Sequence, residues 1–358
     1  MKELNGFYGT DKKKMSEKIK YLCESATNEE ISAFTLHACE LRNQHYGAQV
    51  FFRGLIEFSN YCKNDCYYCG IRRNNQNAVR YRMSEEEILK SCAKGYDIGF
   101  RTFVLQSGED SYFSENKLRS LVYKIKTCFP DCAITLSTGE LSRDTYKRLY
   151  DAGADRYLLR HETANEKHYQ MLHPSELSLK NRKECLYNLK EIGYQVGAGF
   201  MVDSPYQTYD ILAENLIFLR ELQPHMIGIG PFIPHKDTKF ANYGKPTIYK
   251  TIIMLSLVRI MVPKALIPAT TALNTVDASA RDKGFFAGAN VIMPNLTPKQ
   301  YRKNYQLYDN KLCSGMEASE NLSSLLNSIR NINMIPNLSR GDHVDKIKDG
   351  ISVQCRRL

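Results

Sequence analysis

The stretch FFRGLIEFSNYCKNDCYYC, residues 51–69, runs from a strand into a group of thiols. Residues 51–59 carry the aromatic and branched apolar side chains of a buried strand. Cys62, Cys66 and Cys69 therefore fall in the loop that leaves its C-terminal end. Thiolates at C-x3-C-x2-C spacing can hold three irons of a four-iron cluster and leave the fourth iron open to another ligand. A structural zinc site asks for four ligands, usually with a second Cys or His pair downstream, and no such pair is present. A redox pair would use Cys66 and Cys69 and leave Cys62 unexplained.

Outward from this loop, composition sets bounds. At 358 residues with 43% hydrophobic content, the chain can bury a full core as one large α/β domain or two smaller ones. A net charge of +10 favours anionic ligands, but no basic stripe interleaved with aromatics points to nucleic acid. The eleven cysteines are odd in number and scattered outside the loop, unlike a secreted disulfide framework. With no leader pattern and no apolar run near ~20 residues, the expectation is a reducing, low-oxygen cytoplasm, with an organelle as the lesser alternative, and no membrane.

In chain order, residues 1–50 read as a helical extension, with Thr27-Asn28-Glu29-Glu30 opening a helix that covers the bottom or flank of the downstream domain. Strands are expected at 51–59, 102–106, 133–137, 156–162, 195–202, 226–230, 266–271 and 289–293. Helices alternate with them, beginning at Ser84, near 115–129, from Ser142, and near 179–192, 209–222, 248–262 and 278–286. Eight strands each followed by a helix predict a single (β/α)8 TIM-type barrel over 51–297. The remainder, 298–358, reads as a capping segment with one helix near 318–329 and loops closing the barrel mouth.

The thiol loop resembles that of the radical S-adenosylmethionine (SAM) enzymes, down to the aromatic Tyr68 before the last cysteine. That resemblance implies one [4Fe-4S] cluster whose open iron chelates the amino and carboxylate groups of SAM and passes an electron to its sulfonium. A 5′-deoxyadenosyl radical is released, with Tyr68 beside the adenine. Barrel enzymes place their sites at the C-terminal strand ends, where this loop belongs. The second strand ends Gln106-Ser107-Gly108-Glu109-Asp110, which suits an ammonium group or a plain turn. Its likeness to the family's GGE segment is partial, because Ser107 replaces the first glycine. On the fourth strand, alternation puts Arg156, Leu158, Arg160 and Glu162 on one face. If that face is interior, three ionisable groups have left water and must pair or bind a ligand. A structural Arg–Glu pair explains them. So does a site where Glu162 accepts from two ribose hydroxyls, while Arg160 and Arg156 fork onto a carboxylate or small anion. His161 points the other way, as a core histidine. Thr135 and Ser137 share a face of the third strand, and Thr270 and Thr271 end the seventh. Gly228-Ile229-Gly230-Pro231 leaves room for an adenine or for tight packing, and Met226 reads as barrel packing or a cavity floor.

The segments YCKNDCYYCGIRRNN, VLQSGED, AGADRYLLRHETAN, GAGFMV, GIGPFIPHKDT, IPATTA and GANVIMPN stand in this order across 61–295. Together they resemble the HydE family, radical SAM maturases that help build the active-site cluster of [FeFe]-hydrogenase. The resemblance implies a barrel around a large cavity and a cysteine-ligated Fe(CO)2(CN) unit as substrate. It further implies delivery by a HydG-type maturase, a HydF-type scaffold downstream, a low-potential reductant, and radical attack on the cysteine sulfur. Residue by residue, it gives the cluster to Cys62, Cys66 and Cys69. It gives SAM to Tyr68, Gln106, Gly108, Glu109, Ser137, Glu162, Arg182 and Met226. Arg160, Thr270, Thr271 and Tyr305 line the reacting pocket, with Arg156 and Thr135 below as small-anion contacts. One departure stands out: an accessory cluster would need C-x7-C-x2-C, but Cys313 is followed at those spacings by Asn321 and Ser324. No second cluster is expected, and Cys313 is a leftover thiol. The alternatives are methylornithine-synthase-like chemistry on an amino acid, biotin-synthase-like sulfur insertion, and a basic zinc- or nucleic-acid-binding module. Sulfur insertion would want cysteines inside the barrel, and no expected strand ends in one.

Overall fold

A computed structural model describes residues 11–244, 247–311 and 318–347. The strands form a ring in which every neighbour is parallel. The first is broken at Arg53 into Gln49–Phe52 and Gly54–Ser59. Thr102–Ser107, Ala133–Ser137, Arg156–Leu158, Gln195–Ala198 and Met226–Ile227 come next in order, each paired to the one before. Met201–Val202 and Gly230–Pro231 extend the fifth and sixth strands towards their C-terminal ends. The seventh position is held by single bridges, Met226 to Leu266 and Pro268 to Val291. Val291–Ile292 pairs back onto Phe51 and Phe52, and a bridge from Leu55 to Asn295 closes the ring. This is the (β/α)8 barrel that the alternation predicts.

Local chemistry explains most boundaries. Helix Glu85–Asp97 starts in a reciprocal capping box: Glu87 N–H donates to Ser84 Oγ at 3.2 Å, and Ser84 N–H donates to Glu87 Oε2 at 2.8 Å. Helix Asn28–Tyr46 opens with the same device at Thr27 and Glu30. Helix Leu179–Ile192 stops at Gly193, whose φ of 110° is left-handed. Two expectations need correction. The seventh strand does not run to 271, because Pro268 has no N–H for a ladder and the chain turns into helix Thr271–Val276. Helix Glu166–Leu172, capped by the Asn165 side chain, was not foreseen.

The flanking segments serve different ends. Helix Lys12–Glu24 lies along Tyr209–Leu222, tied by Lys12 Nζ to Glu214 at 2.7 Å. Helix Asn28–Tyr46 packs on Ile248–Met261, and the buried Arg42 donates to Phe285 O at 2.8 Å. The C-terminal segment was expected to close the mouth alone, and it does more than that. Residues before 310 reach the rim, where Asp309 N–H donates to Pro234 O at 3.0 Å. After helix Ala318–Asn331 the chain crosses to the opposite end, where Ile335–Asn337 pairs in parallel with the start of the first strand. No helix among the described residues is long and apolar enough to cross a membrane. Cys313 lies outside the described residues.

Candidate active site at the barrel mouth

The cysteine loop is braced from three directions. Lys63 N–H donates to Glu109 O (2.9 Å), Tyr67 N–H to Leu172 O (3.0 Å) and Gly70 N–H to Leu307 O (2.9 Å). Asp65 closes it on itself through Arg72 Nη1 and the Asn74 N–H, both at 3.0 Å. Gly108 packs so tightly that a Cβ there would stand 2.8 Å from Cys62 Cβ and collide with Tyr61 O. That close approach, rather than an ammonium ligand alone, requires glycine.

The three thiols are each part-buried and close enough to act on one another electrostatically. Burial first, then the neighbouring Cys62, pushes the Cys69 thiol up to about 12. Burial and Cys69 likewise lift Cys66 well above the usual thiol range. Such thiols bind iron by exchanging their protons for metal. Among the described residues no three His, Cys, Asp or Glu side chains converge on a point as ligands of one ion, as zinc would need. A four-iron cube instead takes its thiolates on separate irons, so this donor set fits an open-vertex cluster.

Beside the thiols, Tyr68 lies 3.2 Å through its hydroxyl from His173 Nε2, and His173 Nδ1 lies 3.0 Å from Tyr169 O. A carbonyl can only accept, so Nδ1 carries the proton and Nε2 accepts from Tyr68. Burial holds His173 neutral, at about 3. Glu162 sits at φ 63°, a left-handed conformation that costs a non-glycine residue of order 1 kcal/mol. Its N–H is tied to Gly199 O at 3.0 Å, which fixes the carboxylate inward. Glu109 is already engaged, accepting from Glu140 N–H at 3.1 Å and lying 3.3 Å from Lys63 Nζ. Arg182, almost buried, lies 2.6 Å through Nε from Glu140 Oε1.

Deeper in, Arg160 Nη2 lies 3.1 Å from Glu162 Oε2, yet neither atom completes a hydrogen bond. Arg160 Nε, Thr270 Oγ1 and Thr135 Oγ1 are also buried without partners. Tyr305 is 1% exposed, and its hydroxyl receives Gln106 Nε2 at 3.3 Å. Ser137 pairs in register with Gln106. Thr271 starts the short helix that Thr270 precedes, so the two hydroxyls leave a helix N-terminus rather than a strand.

The floor is different. Arg156 Nη2 is spent on Asp342 Oδ1 at 2.7 Å and Arg340 O at 2.6 Å and Nη1 on Thr102 Oγ1 at 3.2 Å, so of its nitrogens only Nε, like Thr135 Oγ1, is buried without a partner. Met226 opens the sixth strand at its N-terminal end, against Arg53 Nη1 at 2.9 Å, and packs with Leu266 and Val291. It therefore stands on the floor, away from the cysteine loop where SAM was expected. Glu57 is a buried site residue the sequence reading missed: it accepts from Asn295 Nδ2 at 2.8 Å and pairs with Lys311. Alternation along Arg53, Leu55, Glu57 and Ser59 carried that signal, as it did for the fourth strand. His161 is a core histidine as expected, wedged against Phe200 and Phe218, with Nδ1 accepting from Gly199 N–H.

Known proteins bear on this geometry. The profile of the Radical SAM superfamily matches residues 56–219. The [FeFe] hydrogenase maturase subunit HydE of Thermotoga maritima is 49% identical over 276 residues, 77% of this chain and 78% of that one. The 3-methylornithine synthase of Methanosarcina acetivorans is 26% identical over 94% of this chain and 92% of its own. Among solved structures, methylornithine synthase superposes with a TM-score of 0.78 at 24% identity, covering 94% of this chain and 96% of that one. The HydG maturase of the [FeFe]-hydrogenase gives 0.77 at 17%, covering 94% and 75%. Both support the barrel alone. With the cysteine loop, the inward Glu162 and near-half identity over three quarters of its length, this chain belongs to the HydE family of radical SAM enzymes.

Proposed function

We propose that this enzyme acts in [FeFe]-hydrogenase maturation by turning radical SAM chemistry on a cysteine-ligated Fe(CO)2(CN) unit. The observation that carries this reading is the set of buried polar atoms on Arg160, Glu162 and Thr270 that complete no hydrogen bond, Arg160 and Glu162 meeting only as an ion pair. Buried polar atoms without partners are costly, so a polar ligand is their natural complement. When bound, the cluster held by Cys62, Cys66 and Cys69 supplies the electron that cleaves SAM to the 5′-deoxyadenosyl radical.

The chain's own residues then do the positioning. Tyr68, oriented by His173, supports the adenine, and Glu162 accepts from the ribose hydroxyls. Arg182, shared with Glu140, serves the SAM carboxylate, while Gln106, Gly108, Glu109 and Ser137 shape the methionine end. Arg160 presents a planar fork to the substrate's cysteine carboxylate. Thr270, Thr271 and Tyr305 bound the same pocket, and Arg156 with Thr135 offers a smaller contact to an anionic ligand below. A HydG-type maturase supplies the substrate and a HydF-type scaffold receives the product. A low-potential reductant feeds the cluster. No second cluster is proposed: Asn321 and Ser324 stand where an accessory set would have two of its three cysteines. Residues 51–297 form the catalytic barrel, with 1–50 and 298–358 as its extensions.

The test is anaerobic incubation of the reconstituted, reduced protein with SAM and the iron complex. Formation of 5′-deoxyadenosine together with loss of the complex's CO and CN stretching bands supports the reading. 5′-Deoxyadenosine formed only with a free amino acid favours the second reading, methylornithine-synthase-like chemistry. The full-length similarity to 3-methylornithine synthase and the Arg160–threonine clamp keep that reading in play.

A further inference from the structure

Arg80 lies beyond the cysteine motif, yet its guanidinium grips the motif from both sides. Nη1 donates to Asn60 O at 2.6 Å and Ile71 O at 2.8 Å. Nη2 donates to Arg72 O at 2.6 Å and Asn75 O at 3.3 Å. Asn60 precedes the first cysteine, and the other three residues come after the last. The fork's partners among the described residues are thus all backbone carbonyls, none a carboxylate. Other cations around this loop are paired with acids: Arg72 with Asp65, Arg73 with Glu176, Arg82 with Asp110 and Lys63 with Glu109. Arg80 is half-buried, and the ionisable groups near it that would turn negative on losing a proton to a metal or base are Cys62, Cys69 and Tyr61.

A four-carbonyl clamp explains why an arginine is used, since its planar fork reaches several acceptors at once. It does not explain a charge left without a carboxylate. Reduction of a cluster on three thiolates adds a negative charge to a site already negative, and net charge and hydrogen bonding set such potentials. A fixed neighbouring cation favours the reduced form.

We propose that Arg80 is a positioning residue with a second duty: it is the built-in counter-cation of the cluster, raising the cluster's reduction potential while its fork holds the loop closed. The proposal rests on the cluster assignment to Cys62, Cys66 and Cys69.

The experiment is a redox titration of the reconstituted protein, with and without SAM, read by the electron paramagnetic resonance signal of the reduced cluster, alongside iron analysis. A colourless wild-type protein would defeat the cluster assignment itself; the counter-cation role is decided by the variants. R80Q is expected to lower the reduced-to-oxidised ratio at fixed potential at least tenfold, ~59 mV for one electron. R80K keeps the charge but gives up the fork, so it should hold the wild-type midpoint and lose iron faster on dilution. If R80Q carries no iron, a wild-type midpoint in R80K still supports the proposal. An unchanged midpoint in R80Q, or a tenfold fall in R80K, overturns it. Loss of iron from both variants makes Arg80 a loop-folding residue only and overturns it equally.

Discussion

Arg156 lies in the fourth strand and Arg160 two residues past its end, and the two arginines are partnered differently. Arg156 is fully buried, its fork closed by Asp342 and the Arg340 carbonyl, and Arg340 is itself paired to Asp155. Arg160 lies four residues further towards the mouth with its side chain 31% exposed; its Nη2 stands 3.1 Å from Glu162 Oε2, and Nε and Nη2 complete no hydrogen bond. At the floor a carboxylate of the chain neutralises Arg156, although the neighbouring Arg53 forms no ion pair among the described residues and keeps Nε unfilled. At the mouth Arg160 has Glu162 as its ion-pair partner but leaves hydrogen-bonding positions open, which costs stability and prepares a binding site.

The contrast can be broken at either end. Cys66→Ala should have the largest effect at the mouth: iron falls from about four per chain to near zero and SAM cleavage stops. Denaturant unfolding of the iron-free protein should hardly move, and a large loss there would mean the loop holds the fold rather than the cluster. Asp342→Ala should do the reverse. It leaves Arg156 buried and unpaired, so unfolding free energy should drop by about 3 kcal/mol, with iron per folded chain unchanged.

Acid should reach the floor by the same route. Burial pushes the Asp342 carboxyl up, but the Arg156 and Arg340 guanidiniums outweigh it and hold the group well below the usual carboxylate range. Its contribution is therefore complete above the unfolded value of about 4 and drains away as pH falls below it. Asp342→Asn should flatten that part of the stability–pH curve; an unflattened curve would place the acid sensitivity elsewhere.

Smaller effects test the mouth. Glu162→Ala should weaken SAM binding at least ~10-fold, roughly 1.4 kcal/mol, with full iron content. Glu162→Gly should lose the same affinity and be about 0.5–1 kcal/mol more stable than Glu162→Ala, because glycine accepts the left-handed backbone. If both variants bind SAM as wild type does, the ribose contact belongs to another residue.

How much of the molecule is legible in its sequence depends on the range of the forces involved. The barrel cadence was legible because helix caps and strand alternation act over a few residues, as at Ser84–Glu87 and Arg156–Glu162. The cysteine loop was legible for the same reason. Asp342 was not, because it meets Arg156 from 186 residues away and nothing local marks it as a barrel residue. His173 was hidden similarly, its contact with Tyr68 spanning 105 residues. Glu57 could have been found, since it obeys the alternation used on the fourth strand. Met226 was misplaced because its depth in the barrel depends on where the sixth strand begins.

The late arrival of Asp342 has a consequence for biogenesis. A nascent chain threaded out as far as the fourth strand carries a guanidinium destined for a dry interior and no acid to meet it. Leu307, which fastens the thiol loop through Gly70, also emerges long after the loop itself. Both ends of the ring thus wait on residues that follow the eighth strand, and neither is fully braced until that segment has left the ribosome.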